Sequence, residues 1–224
     1  MCNLYNITTN RQAVLEFTRA MHDRGGFNEP SRDVFPNYLA PVVRARADGE
    51  REIAPLTWGM PTPPERVTGK ADRGTTNIRH PHYRHWHQWM GSEHRCVVPA
   101  TTFAEPSPTK DERGRVPNVW FALGDVRPLF FFAGVWASWR GVRKVRDGEQ
   151  DFELFAFLTT TPNDVVAPVH PKAMPVILTE RDDVEAWLTE PWPDAKHLQR
   201  PLPDGVLKIV ESPEGFFDRN PKLA

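Results

Sequence analysis

The sequence contains little cysteine and no apolar stretch long enough to span a membrane. Only Cys2 and Cys96 occur among its 224 residues, and no CxxC pair is present, which excludes the usual thiolate zinc sites. No apolar run approaches the roughly 20 residues that a transmembrane helix needs. The first twenty residues include Arg11, Glu16 and Arg19 and lack the apolar core of a secretory signal. We therefore expect a cytoplasmic protein with two free thiols, associated with the nucleoid if it is bacterial.

The chain also lacks a large net charge, because its formal net charge is −1. The charge is uneven, however, and residues 66–95 hold six Lys or Arg against two acidic residues together with five of the eight histidines. Within this range, basic and aromatic residues alternate from Arg79 through Arg84 to Trp89, a pattern typical of surfaces that follow a phosphate backbone and stack on bases. A solvated loop is the alternative. No His-Glu-x-x-His motif accompanies these histidines, so we expect neither a metal nor another cofactor.

The hydrophobic pattern predicts one α+β domain over residues 1–224, with a curved, mainly antiparallel, barrel-like sheet flanked by a few helices. One helix is predicted at 9–23, with Thr9 and Gln12 in a capping box, Val14, Phe17 and Met21 on one inward face, and Gly25-Gly26 at its end. A second is predicted at 180–189, capped by Thr179, with Val184, Trp187 and Leu188 facing inward. Strand patterns occupy 42–47 and 51–58 (joined by an Asp48-Gly49 turn), 95–99, 117–123, 128–138, 152–160, 174–178 and 206–210. Residues 61–91 are predicted to be mostly irregular.

Cys2, directly behind Met1, could carry unusual chemistry. Its small side chain would allow removal of Met1, after which an α-amine and a thiol would share one residue. Such a 1,2-aminothiol can condense with an aldehyde and close to a five-membered thiazolidine, which no internal cysteine can do. A buried, inert thiol is the alternative at position 2, as it is for Cys96 in its apolar surroundings.

Two further residues suit proton transfer. Glu105 follows the apolar segment 95–104, and burial could raise the pKa of its carboxyl towards neutrality. His170 stands between two strand patterns, and an imidazole titrates near neutral pH. A surface carboxylate and a histidine bonded to the backbone are the respective alternatives.

These pieces together resemble the SRAP family (SOS-response-associated peptidase, abasic-site processing proteins) over most of the chain. The matching motifs are Cys2 after Met1, Ala40-Pro41, Trp58-Gly59, Asn77-Ile78-Arg79, Arg95 to Pro99 leading to Phe103-Ala104-Glu105, Phe132 to Trp136, Leu158-Thr159-Thr160, and His170 followed by Met174-Pro175. Each motif is weak alone, whereas their order and spacing together are specific.

The resemblance implies a covalent sensor of abasic sites in single-stranded DNA, with possible lyase activity. Cys2 would be the nucleophile, Asn77 and Glu105 would hold and tune its amine, and His170 would shuttle protons on the sugar. The residues implied to contact DNA are Arg79, which would hold a phosphate, and Thr159, Pro41 and Trp58, which would line the path of the strand; the basic segment adds Arg84.

The chain departs from the family pattern at three places. Cys2-Asn3-Leu4-Tyr5 replaces the common Cys-Gly-Arg-Phe, Pro106 replaces a common aromatic residue, and one extra residue separates His170 from Met174-Pro175. Two other functions stay open, an N-terminal-nucleophile hydrolase that attacks an amide and a non-catalytic module that binds single-stranded DNA. We expect the protein to act as a monomer.

Overall fold

The computed structural model describes residues 2–8, 11–25 and 32–213, and its architecture is α+β, as the sequence predicts. The helices are α1 (Arg11–Thr18), α2 (Arg84–His87), α3 (Arg181–Thr189) and α4 (Trp192–Ala195). The strands are β1 (Leu4–Ile7), β2 (His22–Asp23), β3 (Arg32–Val34), β4 (Leu39–Ala45), β5 (Arg51–Trp58), β6 (Asn77–Ile78), β7 (Arg95–Ala100), β8 (Thr102–Pro106), β9 (Asn118–Ala122), β10 (Phe130–Gly141), β11 (Gln150–Thr160), β12 (Met174–Pro175), β13 (Ile177–Leu178) and β14 (Lys208–Val210).

Five strands close into a barrel. Strands β11, β10, β7, β4 and β5 are neighbours in that order and pair antiparallel. A parallel pairing of β5 with β11, in which Trp58 lies opposite Phe155, then joins the two ends of the row. The barrel-like, mainly antiparallel sheet that the sequence predicts is therefore confirmed.

A second sheet carries the start of the chain. Its order is β14-β9-β8-β1-β3, and β1 pairs antiparallel with β8, so that Leu4 lies opposite Ala104 and Tyr5 opposite Phe103. This register brings the residues that precede β1 alongside the end of β8. Residue 2 therefore lies near residue 105 although about a hundred positions separate them in sequence.

The alternation of side chains along β11 divides the core into two layers. Phe155 and Phe157 point to the layer shared with Tyr5 of the second sheet. Leu154 and Ala156 point to the opposite layer, which the helices cover. The helical layer is held by Trp187 of α3, whose Nε1 donates at 3.0 Å to backbone carbonyls of both β7 and β10. The site described below lies on the first of these layers.

The first helix is shorter than the pattern predicts. It ends at Thr18 because Arg19 adopts a left-handed φ of 55°, and residues 22–23 form β2 beside β5. The placement of Met21 on the inward face is wrong, since it is 75% exposed. Thr9 and Gly26 lie outside the described residues, and Gln12 donates to Glu16 at 2.9 Å.

Residues 61–91 are mostly irregular, as predicted, and contain the short elements β6 and α2. One other sequence prediction needs correction. At the second helix, Glu180 and not Thr179 is the residue that precedes the first turn, and the Thr179 hydroxyl donates to the Glu180 carboxylate at 3.2 Å. Within the described ranges, no helix is both long and apolar enough to cross a membrane.

Candidate functional site

Cys2 is held against the core by the strand that follows it. Its side chain is only 1% exposed, and its thiol donates to the carbonyl of Leu4 at 3.4 Å. Three residues further on, the Tyr5 ring packs edge-on against Trp58 and Phe132, with centroid distances of 5.2 and 5.5 Å. Because these aromatic contacts fix β1, they also fix where Cys2 lies, two residues before the strand.

Asn77 fixes the backbone of Cys2 from a second direction. It lies on β6, which pairs in parallel with β11 opposite Phe157. Its amide Nδ2 donates at 2.8 Å both to the carbonyl of Cys2 and to the hydroxyl of Thr76. That hydroxyl donates in turn to Oδ1 of Asn3 at 3.1 Å. Residues 2 and 3 are thus bound by side chains 75 and 73 positions later in the sequence.

Glu105 is a wholly buried carboxyl beside the cysteine. It lies on β8 opposite Val119 of β9, and its exposure is 0%. Burial raises the pKa of the Glu105 carboxyl above its usual value, while nearby positive charge, including that of His170, acts in the opposite direction. A carboxyl with a raised pKa exchanges protons more readily near neutral pH, which is the property that a general acid–base needs.

His170 completes the group from the turn after β11. The imidazole Nδ1 lies 2.8 Å from the carbonyl oxygen and 3.2 Å from the amide nitrogen of Ala173. The turn itself is held because the side chain of Asn163 accepts from the amide of Val166 at 3.1 Å, and the carbonyl of Val166 accepts from the His170 amide at 2.8 Å. His170 lies close enough to Glu105 for its positive charge to lower the pKa of the buried carboxyl.

The thiol is kept in its neutral form in this arrangement. Burial raises the pKa of the Cys2 thiol well above its ordinary value, and the charge of Glu105 raises it further. Hydrogen bonds to the backbone at Leu4 and Ala104 oppose these effects without offsetting them. The structure therefore brings together Cys2, Asn77, Glu105 and His170, the four residues that the family resemblance assigns to one site.

Three of the residues expected to contact a DNA strand lie at or beside the end of a helix or strand: Arg79, Arg84 and Thr159. Arg79, half-buried, follows β6, and exposed Arg84 begins α2. Thr159 is buried at the end of β11, and its hydroxyl has no hydrogen-bond partner among the described residues. The side-chain amide of Gln199 donates to the carbonyls of Arg79 and Thr159, at 3.0 and 2.9 Å, and so ties these two positions together.

Trp58 and Pro41 do not fit the expected role of lining a DNA path. Both are buried, and Trp58 is 0% exposed, with its ring stacked on Phe157 at a centroid distance of 5.2 Å. An indole inside the core cannot stack on a base without unfolding its neighbours. Its Nε1 instead donates to the carbonyl of Thr76 at 3.0 Å, so Trp58 supports the segment that binds Cys2.

The basic and aromatic segment presents rings at the surface. The His80 ring is stacked on Tyr83 at 5.1 Å, and His82 meets the same ring edge-on at 4.7 Å. His87 Nε2 lies 2.7 Å from the carbonyl of His82. In the part of the chain that the structure describes, no three histidine, cysteine, aspartate or glutamate side chains are grouped to hold a metal ion.

The sequence did not point to three residues that support the site, namely Thr76, Asn3 and Gln199. Thr76 and Asn3 adjoin Asn77 and Cys2, and their polar side chains beside candidate site residues were the available signal. Gln199 carried no such signal, since it is 120 and 40 positions from the residues that it joins.

Comparison with known proteins identifies the family and supports the fold. A model of the family described as SOS response associated peptidase (SRAP) matches residues 1–212. The chain is similar to the crystal structure of a Bordetella bronchiseptica protein (23% identity, TM-score 0.69, 94% of this chain and 100% of the other). A Bacteroides thetaiotaomicron protein is 19% identical (TM-score 0.67, coverage 94% and 92%). A phage-related protein of Bordetella bronchiseptica is 20% identical (TM-score 0.65, coverage 94% and 95%). No curated protein gave a match.

Proposed function

The chain belongs to the SRAP family, and we propose that it captures abasic sites in single-stranded DNA as a covalent thiazolidine on Cys2. The observation that carries the proposal is the meeting of one cysteine with an amide, a carboxyl and an imidazole drawn from three distant segments. Asn77 donates a hydrogen bond to the Cys2 carbonyl at 2.8 Å. The charge of Glu105 raises the pKa of the Cys2 thiol, and the charge of His170 lowers the pKa of Glu105. In the proposed chemistry, Cys2 supplies the nucleophile, Glu105 the acid–base group and His170 a second group that carries protons.

The chemistry begins with cleavage of the Met1–Cys2 bond, which exposes the α-amine of Cys2. An α-amine has an ordinary pKa of about 7.7–8.0, so a large share is still protonated at neutral pH. Glu105 removes a proton from this ammonium group. The neutral amine then attacks C1′ of the open-chain sugar, and a carbinolamine forms as a proton moves from nitrogen to oxygen.

Closure of the thiazolidine ring requires two further proton transfers at Glu105. Glu105 donates its proton to the carbinolamine hydroxyl, which leaves as water and gives an iminium ion. The Cys2 sulfur adds to the same carbon while its proton passes to the Glu105 carboxylate. The products are a thiazolidine, one water and a protonated Glu105, so that one C–N bond and one C–S bond replace the carbonyl.

His170 acts earlier, on the sugar. An abasic sugar is mostly a closed ring, and only its open form presents an aldehyde. Protonation of the ring oxygen by His170 would favour the open form. Asn77 holds the Cys2 carbonyl, and thereby the amine on the same residue, at a fixed distance from the reacting carbon.

The test uses purified protein whose mass shows that Met1 has been removed. It is incubated with a single-stranded oligonucleotide containing one abasic site and analysed on a denaturing gel. We expect a heat-stable shifted band for the wild type, none for Cys2→Ala, and none with an oligonucleotide that lacks the abasic site. Cys96→Ala is the matched control, because it removes the other buried thiol and should leave the band intact.

Cys2→Ser separates the roles of the amine and the thiol. It keeps the amine, so borohydride should trap an imine, whereas the band without reductant should be lost. Absence of any band from Met1-free wild-type protein would overturn the proposal. Cleavage of a peptide without a band would instead support a hydrolase, the activity that the family description names.

A further inference from the structure

A concave basic surface lies next to the candidate site. It is a cavity of about 500 Å³ between the loop 62–75 and the start of the turn that follows β10. The loop contributes Arg66, Lys70 and Arg73, and the opposite wall contributes Arg143 and Val145. Two segments about seventy positions apart in sequence therefore form one concavity with four cationic side chains.

Arg143 holds the floor of this concavity in place through contacts with Gly59, Asp72 and Trp139. Its guanidinium donates to the carbonyls of Gly59 and Asp72, the latter at 3.2 Å, and lies over the Trp139 ring at 4.7 Å from the centroid. Asp72 accepts from the amides of Thr62 and Gly74 at 2.9 and 2.8 Å. Burial would raise the pKa of Asp72, but these hydrogen bonds and the charge of Arg143 lower it below its usual value, so the carboxylate stays ionised. Arg143 is thereby neutralised within the fold.

The other three cations have no such partner. Arg66, Lys70 and Arg73 are exposed, and none forms an ion pair with a carboxylate in the described residues. Asp72, already engaged with Arg143, is the acidic residue in the wall. Unpaired cations that line a concave surface focus a positive potential, which attracts phosphate groups.

The concavity adjoins the chain segment that binds Cys2. Thr75 lines it, and the next residue, Thr76, donates to Asn3 at 3.1 Å. Asn77 follows and bonds Cys2. Four residues of extended chain, at most about 14 Å, separate Arg73 from Asn77. A strand whose abasic sugar reached Cys2 would therefore have phosphates within reach of these cations.

We propose that this concavity is a subsite for backbone phosphates of the same DNA strand, a few nucleotides from the abasic sugar. The inference depends on the proposed function for its substrate, although its test does not require the covalent step. Three charged contacts to phosphate give affinity without sequence preference, because phosphates carry no base information.

The test measures reversible binding of an unmodified single-stranded oligonucleotide as a function of salt. The test variant carries Arg66→Gln, Lys70→Gln and Arg73→Gln. The control variant makes the same change of net charge in the helical layer and carries Arg19→Gln, Arg181→Gln and Lys196→Gln. Each phosphate contact with a single strand contributes about 0.7 to the slope of log K against log salt, so the test variant should lose about 2. This corresponds to binding up to about 100-fold weaker at 0.1 M salt, converging with wild type near 1 M.

A second measurement locates the phosphates. Oligonucleotides with a neutral methylphosphonate at successive positions should weaken wild-type binding at one or more positions, and the same replacements should have no further effect on the test variant. An unchanged salt slope in the test variant, or equal losses in the test and control variants, would overturn the subsite. Its failure is distinguishable from failure of the proposed function, because crosslinking to an abasic oligonucleotide at saturating concentration does not depend on it.

Discussion

Replacement of Glu105 by glutamine should change stability and reactivity in opposite directions. The side chain keeps its shape, and the position is fully buried on β8. Burial raises the pKa of the wild-type carboxyl above its ordinary 4.5. The folded wild type therefore binds more protons than the unfolded chain once the pH exceeds that value, and its stability falls as the pH rises through the folded pKa. Glutamine does not titrate and avoids this loss.

The magnitude follows from linkage. Each unit by which the folded pKa exceeds the unfolded pKa corresponds to about 1.4 kcal/mol. We expect Glu105→Gln to gain stability over wild type as the pH is raised from 4.5 to 8, and each 1 kcal/mol gained would raise the melting temperature by about 2–4 °C for a domain of this size. Over the same range its crosslinking should be about 10²–10⁴-fold slower, because the general acid–base that we propose would be gone.

The assay compares thermal unfolding and crosslinking rate at a series of pH values for wild type, Glu105→Gln and the exposed control Glu112→Gln. The control should show neither effect. If the stability of Glu105→Gln relative to wild type fell between pH 4.5 and pH 8, the ionised carboxylate would be a stabilising group and the argument from burial would be refuted. If it crosslinked at the wild-type rate, the proton transfers assigned to Glu105 would be refuted.

Two other substitutions test single groups. His170→Gln should slow crosslinking to a natural abasic site by about 10²-fold or more, yet should leave the rate with an open-chain aldehyde analogue nearly unchanged, since that substrate needs no ring opening; equal slowing on both substrates would refute a role in ring opening. Gly74→Ala should lower the free energy of unfolding by about 1–3 kcal/mol, because its Cβ would clash with the Arg143 guanidinium in a backbone with φ of +80°. Gly114→Ala is the control in denaturant unfolding, since Gly114 has φ of +75° and open space around it; an equal loss in both would show that contact with Arg143 is unimportant.

The long, strongly patterned strands were predictable from sequence. The apolar run at 128–138 corresponds to β10, and the Asp48-Gly49 turn joins β4 and β5 with φ of +84° at Gly49. In these segments local preference and tertiary packing agree. The inward positions Val184, Trp187 and Leu188 of α3 were predictable for the same reason, and all three are buried.

The short elements of the site were not predictable from local pattern. Strand β6 has two residues, Asn77 and Ile78, and exists because β11 lies beside it. A strand of two residues is too short to show the alternating hydrophobic pattern by which strands are recognised in a sequence. The end of α1 likewise depends on the pairing of His22 with Glu52 on β5, so a helical pattern that runs on to Met21 was overridden by a sheet.

The identities of Cys2, Asn77, Glu105 and His170 came from their order along the chain, whereas their proximity is a property of the fold. Trp58 shows the limit of that inference. An aromatic residue in a shared motif suggested a stacking surface, but its position opposite Phe155 at the closure of the barrel places it inside. Sequence alone does not distinguish a ring that binds a ligand from one that supports the residues that do.

The parallel pairing of β5 with β11 has a consequence for how the molecule is made. Its partners, such as Thr57 and Leu154, are almost a hundred positions apart, and contacts of such long range slow folding because a large loop must close first. Cys2 is synthesised long before His170, because 167 residues lie between them. A nascent polypeptide therefore carries its cysteine before the segments that surround it in the fold exist, and the acid–base groups that we propose for its chemistry reach it only when the domain has folded.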